Sequence, residues 1–511
     1  MQRILPSSRE WPLFDITHTR HFEVRAGAAV PPHTLMQRAG KAVACLAMAV
    51  APHARSAWVV AGPGNNGGDG LEAAIHLARA GRTVEVTLLA DATMLPSDAR
   101  TSFDRAVAAG IVIRTWADRG ELPGLLGPQD IVIDALLGTG ASRPPDGPIA
   151  QAIQRLNAVA SPVLAVDVPS GLNADTGQPL NQDCVIARHT LTLLTCKPGL
   201  FTGSGRDHAG ITWFDDLGAA PGTKAAGAWL LPSRPAASGK RRHAQHKGSF
   251  GDIAIVGGAA GMIGAALLAA RAAHAAGAGR VYVHLLHAAE SPGFVDTLHP
   301  ELMFRGGEII DDSEQLARST VVCGCGGGQA VSKLLPRLLS AADRLVLDAD
   351  ALNAMAADPA LLALLRARAD RSRPCVITPH PLEAARLLGQ TTGQIEGDRL
   401  QAAATLVDRF QCVVVLKGSG TVIAAPRQVP RINASGNASL ATGGTGDVLA
   451  GWLGGLWAQQ HAANTGFEVS LRAVGEHGAA ADPEPAGALR ASDLIEALHR
   501  QHSANTPIRN Q

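Results

Sequence analysis

Short runs of continuously apolar residues, each ending in glycine beside a polar or charged side chain, recur along almost the whole chain. AWVVA at 57–61 runs into GPGNNGGDG, IVIDALL at 131–137 into GTG, VLAVDV at 163–168 into PSG, and TLTLLTC at 190–196 into KPG. The pattern resumes at 252–256 before GGAAG, 320–325 before GGG, 344–347 before DADALN, 375–378 before PHPLE and 412–416 before KGSGT. Helix-period segments separate many of the runs, at 71–80, 97–109, 149–160 and 263–276, with further strands expected at 83–90, 111–114 and 280–286 and a hairpin partner at 421–425. Strands that are apolar on both faces are covered on both faces, which means parallel sheets inside α/β/α sandwiches. Such sheets bind ligands at the carboxyl ends of their strands. The polar residues collect at those ends.

A chain of 511 residues exceeds what one hydrophobic core serves, so two domains are expected. The periodic pattern lapses from 218 to 245, a stretch rich in Ala, Gly, Pro and Ser that carries KRR at 240–242. The expected division is a first domain over 1–222, a linker over 223–245 and a second domain over 246–505. A net charge of +1 argues against nucleic acid or a charged membrane surface as partner. No apolar run reaches a spanning length, and the N-terminus MQRILPSSREW lacks a continuous signal core. Seven scattered cysteines form no disulfide framework and fit reduced thiols in a cytoplasm. Cys323 and Cys325 read as small strand-end residues rather than metal ligands.

In the first half, GPGNNGGDG at 62–70 holds the spacing GxGxxG between a strand and a helix, with Asp91 after the next strand. That is the layout of a dinucleotide fingerprint. Asn65 and Asn66 stand at its variable positions, and Asp69, expected in the first helical turn, competes for the place of a pyrophosphate. These groups suit a monovalent cation or a ligand hydroxyl; a tight strand-to-helix turn is the plainer alternative. Asp134 and Asp167 each end an apolar strand, where a lone buried charge is costly. Each either caps a neighbouring turn or joins Asp69 and Lys197 in one site.

In the second half, NASGNASLATGGTGDVLAGW at 433–452 packs small residues around Gly443, Gly444 and Gly446 ahead of an apolar helical segment. Glycines admit an anion close to the backbone, and the free N–H groups opening a helix attract it. Asp447 in the first turn is either a helix-start preference or a general base beside that anion. Lys417 with Gly418, Ser419, Gly420 and Thr421 forms a turn suited to a phosphate, although no GxxxxGK[ST] P-loop is present. His380, fixed between Pro379 and Pro381 with Glu383 following, reads as a substrate contact or a structural cap. Asp348 and Asp350 with Asn353 either hold Mg²⁺ or ligand hydroxyls, or cap the helix that follows.

Taken together, HKGSFGDIAIVGG at 246–258, DADALN, TPHPLEA, VVLKGSGT and NASLATGGTGDVLAGW resemble the ADP-dependent NAD(P)H-hydrate dehydratase family, a ribokinase-like fold. GPGNNGGDG, IDALLGTG and VDVPSG are similar to the NAD(P)H-hydrate epimerase domain, Rossmann-like in fold. The tandem resembles the bifunctional bacterial NAD(P)H-hydrate repair enzymes over nearly the whole chain.

The resemblance implies that the first domain interconverts the R and S hydrates of NADH or NADPH. The second would then return the S hydrate to the dihydropyridine at the expense of ADP, giving AMP and phosphate. It implies hydrate contacts at Asn65, Asn66, Gly67, Gly68, Asp69, Gly138, Thr139, Gly140, Ala141, Ser142, Arg143, Pro144 and Asp167. K⁺ would be held at Asn66, Asp134 and Ser170. In the second domain it implies hydrate contacts at Ala265, Gly328, His380 and Asp447, and nucleotide contacts at Lys417, Gly418, Ser419, Gly420, Thr421 and Gly446. Asp447 and Asp167 are the expected acid/base residues, Mg²⁺ accompanies the nucleotide, and a homo-oligomer is expected. One departure stands out: Cys325-Gly326-Gly327-Gly328 occupies the place of the family's usual Pro-Gly-Leu-Gly. The rival reading is a ribokinase-type small-molecule kinase carrying a non-catalytic Rossmann-like sensing domain.

Overall fold

A computed structural model describes residues 1–116, 126–233, 242–287, 294–460, 466–482 and 487–504. It divides into two compact units, Met1–Leu230 and Leu231–Gln511. The boundary falls inside the span expected as linker, and that span also carries the short strand Ala228–Leu230, paired antiparallel with Trp11–Leu13. Lys240 and Arg241 of the basic triplet lie outside the described residues.

In the first unit the sheet runs in the order Gln2–Arg3, Ile211–Asp215, His189–Leu193, Val163–Val166, Ile131–Ala135, Ser56–Ala61, Thr83–Leu88 and Val112–Thr115. All neighbours are parallel except Gln2–Arg3 against Ile211–Asp215. Alternate residues of one strand serve opposite layers. Val59 and Ala61 join one core with the helices Thr34–Val50 and Asn65–Arg79, whereas Trp58 and Val60 join another with the helix Gly147–Ala158. From Ser56–Ala61 the chain first builds outward through Thr83–Leu88, then returns to place Ile131–Ala135 on the other side. Strand order therefore reverses between Ser56–Ala61 and Ile131–Ala135, and a crevice opens at the carboxyl ends of strands at such a point.

The second unit repeats the plan. Its strands run Met303–Phe304, Arg280–Leu285, Asp252–Gly257, Ser319–Cys323, Arg344–Leu347, Cys375–Ile377, Val413–Leu416, Thr421–Ala424 and Arg431–Asn433. Pairing is parallel up to Val413–Leu416 and antiparallel through the last two, so the hairpin expected around KGSG is present. Order reverses between Asp252–Gly257 and Ser319–Cys323. Both units are thus α/β layers around a largely parallel sheet, the Rossmann-like and ribokinase-like arrangements expected. Among the described residues no helix is long and apolar enough to cross a membrane.

One helix, Thr445–Ala458, is apolar on every side and buried from Val448 onward. It lies against the Ala-rich helix Ile263–Ala275 at glycine distance. A Cβ on Gly451 would come within 2.0 Å of the Ala269 carbonyl oxygen, and one on Gly455 within 2.5 Å of the Ala273 carbonyl. The Gly451/Gly455 and Ala269/Ala273 pairs share one i, i+4 spacing, which aligns them along two facing helix stripes. This approach fixes where the helix begins, and with it the position of Asp447. Gly451→Val is expected to destabilise the second unit by about 1–3 kcal/mol or more through overpacking. Gly397→Ala, with open space around the added methyl, should change stability by less than about 0.5 kcal/mol. Urea unfolding followed by the fluorescence of the buried Trp452 and Trp457 compares the two.

Candidate active sites

In the first unit a cavity of about 800 Å³ opens over the reversal point, lined among others by Asn65, Asn66, Asp69, Asp167 and Lys197. GPGNNGGDG serves it in two ways. Gly62, Gly67, Gly68 and Gly70 are packing positions: a Cβ on Gly62 would meet the Leu136 carbonyl at 1.8 Å, and one on Gly67 the Gly62 carbonyl at 2.2 Å. A Cβ on Gly68 would meet Met36 Sδ at 2.6 Å and one on Gly70 Ala135 Cβ at 2.6 Å. The residues between them, Asn65, Asn66 and Asp69, face the cavity.

The helix begins at Asn65, earlier than its apolar period indicates, so Asp69 stands in the second turn rather than the first. Glycines hide that start because they lower helix propensity, yet they are what lets the helix sit this close. Asp91, the acidic residue of the apparent fingerprint, is exposed and caps a 3₁₀ turn through Thr93 N–H at 2.8 Å.

Asp134 is fully buried. Ser170 donates to it twice, from Oγ at 2.6 Å and from N–H at 2.8 Å, and Leu136 N–H donates at 3.2 Å. Burial pushes its carboxyl up to about 6, and the Ser170 bonds pull in the other direction. Asn66 Nδ2 donates to the Leu137 carbonyl at 3.0 Å, and Leu137 N–H donates to Ser170 Oγ at 2.9 Å. Amide, hydroxyl, carboxylate and carbonyl oxygens therefore gather around one loop.

Asp167 has φ +66, a left-handed backbone that non-glycine residues rarely adopt. The turn aims its carboxylate at Lys197, whose Nζ also donates to the Leu193 carbonyl at 2.8 Å, and Leu193 N–H donates back to Asp167 at 3.0 Å. Asp69 faces the same cavity, and burial followed by the nearby charges of Asp167 and Glu23 raises its carboxyl well above the usual range. Glu23, on the helix Ile16–Ala28, also lines the cavity, its carboxyl raised by burial and then by Asp167. The sequence reading missed it; only topology brings that helix here. Gly138, Thr139, Gly140 and Ala141 line the cavity, whereas Ser142, Arg143 and Pro144 are exposed beyond its lining.

In the second unit the corresponding edge gathers Cys325, Asp348, Lys417 and Asp447. Helix Thr445–Ala458 starts after Gly444, whose φ is +94, and Asp447 lies in its first turn. Lys417 is not a solvated strand end: its Nζ donates to Asp348 Oδ1 at 2.6 Å, with Asp348 buried. Burial pulls the lysine down, but the Asp348 and Glu383 charges outweigh it and leave it raised. Gly446 lies beside this pair: a Cβ there would sit 3.4 Å from Lys417 Nζ, an ordinary contact. Asp447 is pushed up to about 6 by burial and then by the Asp348 charge, against the Cys325 hydrogen bond and the Lys417 charge.

Ala265 begins the neighbouring helix against the turn at Gly326. Gly328, at φ +54, donates its N–H to Asp350 Oδ2 at 2.8 Å. Asp350 and Asp348 thus have protein partners, and Asn353 accepts from Arg386 at 2.6 Å. His380 caps the helix Pro381–Leu388: its Nδ1 accepts from Leu382 N–H at 3.1 Å while its own N–H donates to Glu383 Oε2 at 2.8 Å. Burial and Lys417 lower the imidazole, and burial lifts Glu383 to about 7.

In the KGSG turn Gly418 has φ +135 and Gly420 φ +65, and Thr421 Oγ1 donates to the Gly418 carbonyl at 3.1 Å. Ser419 lies in the same turn. Beneath it the buried Arg399 donates to the Leu416 and Lys417 carbonyls, each at 3.0 Å. Arg399 also escaped the sequence reading, because a lone arginine opening a helix carries no signal of its own.

Two family models match the chain: YjeF-related protein N-terminus over residues 32–199 and NAD(P)H-hydrate dehydratase over residues 253–500. The bifunctional NAD(P)H-hydrate repair enzyme of Escherichia coli is 38% identical over 491 residues, covering 92% of this chain and 89% of that protein. The chain belongs to the bifunctional NAD(P)H-hydrate repair enzymes. Another such repair enzyme, from Leishmania braziliensis, is 36% identical over 94% of this chain and 91% of its own length. The solved ADP/ATP-dependent NAD(P)H-hydrate dehydratase of Bacillus subtilis, co-crystallised with ATP and Mg²⁺, is 28% identical, with a TM-score of 0.42 over 52% of this chain and 94% of that one. Membership in the repair enzymes covers both units, so the kinase with a sensing domain is not favoured.

Breaking the Lys417–Asp348 pair from one side leaves a buried charge. Lys417→Met is expected to cost the second unit about 3 kcal/mol or more. The double variant Lys417→Met/Asp348→Leu should recover over half of that loss, read from urea midpoints as a non-additive cycle.

Proposed function

We propose that this chain repairs hydrated NADH and NADPH at two separate sites, epimerising in the first unit and dehydrating in the second. The observation that carries the dehydration is Asp447, a carboxylate in the first turn of a glycine-opened helix, facing Lys417 and Asp348 at the sheet edge. Hydroxide is a poor leaving group, so the ring hydroxyl is phosphorylated before it departs. Asp447 takes the proton of the hydroxyl at ring carbon six as that oxygen attacks the terminal phosphoryl group of ADP. The N–H groups of the turn from Gly443 to Gly446 hold the phosphoryl in transfer, and AMP leaves. Loss of phosphate from ring carbon six, with loss of the proton from ring carbon five, then restores the dihydropyridine.

Ala265, Gly328 and His380 border the place assigned to the hydrate. Lys417, Gly418, Ser419, Gly420, Thr421 and Gly446 border the place assigned to the nucleotide. Asp348 and Asp350 already have protein partners, so Mg²⁺ is assigned to the nucleotide phosphates rather than to a protein cage, as is usual for this ion.

In the first unit Asp167, held by Lys197, is the proposed acid/base beside the ring. It gives a proton to the departing hydroxyl and takes one from the water returning to the opposite face. Asp69, its carboxyl raised by burial, supplies a second proton-bearing group in the same cavity. K⁺ fits Asn66, Asp134 and Ser170: an oxygen-only donor set with a buried carboxylate suits a hard cation. Bound there, the ion would supply positive charge beside the substrate loop at Gly138–Ala141. We place the enzyme in the cytoplasm, where its seven free thiols stay reduced, and as a homo-oligomer, which sedimentation checks.

The test is an epimer mixture of hydrated NADH incubated with protein and ADP or ATP, followed by return of dihydronicotinamide absorbance. Full recovery with nucleotide is expected, and no recovery with either nucleotide contradicts the dehydratase reading. Asp447→Asn should lower the nucleotide-dependent rate by about 10²–10⁴-fold while epimerisation persists. Parallel loss of both activities would contradict separate sites. Separately, adding K⁺ to protein held in tetramethylammonium buffer should raise the melting temperature of the first unit. Asp134→Asn should remove that response.

A further inference from the structure

Cys325 stands at the reversal point of the second sheet, where the usual proline of the resembling family would offer no donor. Its backbone is pinned on three sides. Its carbonyl accepts from Gly258 N–H at 3.0 Å, and a Cβ on Gly257 would come within 2.2 Å of that same oxygen. The glycines flanking it turn the chain sharply, with φ +120 at Gly324 and +59 at Gly326. Neither tolerates a side chain: a Cβ would meet the Asp348 carbonyl at 1.9 Å or the Met262 carbonyl at 2.5 Å.

Held this way and fully buried, the Cys325 sulfur and the nearest carboxylate oxygens of Asp348 and Asp447 all lie within 4.8 Å of one another. Asp348 already receives the Lys417 ammonium. Asp447 is left with the thiol.

We propose that Cys325 is a positioning residue for the dehydration: its S–H hydrogen-bonds the Asp447 carboxylate and holds that base towards the substrate hydroxyl. This rests on the reading of Asp447 as the base. The thiol serves as a neutral donor because burial, then the Asp447 and Asp348 charges, keep its own proton firmly bound. The groups facing Asp447 are Asp348 and Asp350 after the strand Arg344–Leu347, Lys417 after Val413–Leu416, and Cys325 after Ser319–Cys323. Glu383 and His380 act on Lys417 from the next helix, and His477 Nε2 sits 2.9 Å from the Thr445 carbonyl behind the helix start.

The thiol bond favours the carboxylate form, so its loss lets Asp447 keep its proton to higher pH and weakens the base on the acid side.

The test compares the pH dependence of ADP-driven NADH recovery in the full chain for wild type, Cys325→Ser and Cys325→Ala. For Cys325→Ala, kcat near pH 6 is expected to fall about three- to tenfold relative to wild type. Near pH 8 it should stay within about twofold, with the KM values for hydrate and nucleotide little changed. Cys325→Ser, which keeps a donor, should retain the wild-type acid limb. Cys325→Val, which leaves no cavity in place of the sulfur and also lacks a donor, repeats the arm if the alanine variant melts early. An unshifted acid limb in both donor-free variants, a fall equal at all pH values, or failure of serine to rescue would overturn the proposal. A wild type that recovers no NADH with either nucleotide removes the dehydratase reading itself, a result distinct from those three.

Discussion

Burying a carboxylate is costly unless something neutralises it, and each unit buries several at the carboxyl edge of its sheet. What neutralises each one decides what that edge can do. Asp348 has Lys417, Asp167 has Lys197, and Asp134 has, among the described residues, the hydroxyl and N–H of Ser170 with Leu136 N–H. Others are less completely answered. Asp69 faces the first cavity with its proton favoured, and Asp447 faces the second edge poised near 6. Asp348 and Asp134 hold the architecture; Asp69, Asp447 and the cavity-facing Asp167 are the groups placed to move protons.

The glycines make this possible by distance rather than by flexibility. Gly62 and Gly67 let the helix Asn65–Arg79 start against the loop after Ile131–Ala135, which brings Asn66 and Asp69 to the cavity. Gly451 and Gly455 seat Thr445–Ala458 on its neighbour, which sets its first turn beside Lys417. In both units a helix carrying a carboxylate of the site is pressed onto the point where strand order reverses. The two sites thus share one physical plan while holding different chemistry.

Much of this was legible in the sequence, because strands apolar on both faces admit few arrangements. Asp134, Asp167 and Asp447 were found by their position after such strands or at a helix start. What stayed hidden depended on distance in three dimensions. Glu23 reaches its cavity from a helix with weak periodicity. The pairing of Lys417 with Asp348 was hidden because the two residues follow different strands. Cys325 looked like an inert strand-end residue, since spacing alone gave no sign of the Asp447 carboxylate beside it. The helix start at Asn65 was misplaced because its glycines read as a turn.

Dehydration at this edge requires that the ring hydroxyl be phosphorylated before it leaves. Asp447 beside a phosphate-holding turn is a kinase-like arrangement, and a lyase outcome follows only if the oxygen it activates departs as phosphate. The most direct test uses the S hydrate of NADH labelled with ¹⁸O in the hydroxyl at ring carbon six, turned over with unlabelled ADP by the Asp167→Asn variant, in which epimerisation no longer exchanges that oxygen with water. One labelled oxygen in the released inorganic phosphate is predicted for each NADH restored. Label appearing in water, with unlabelled phosphate, would contradict it.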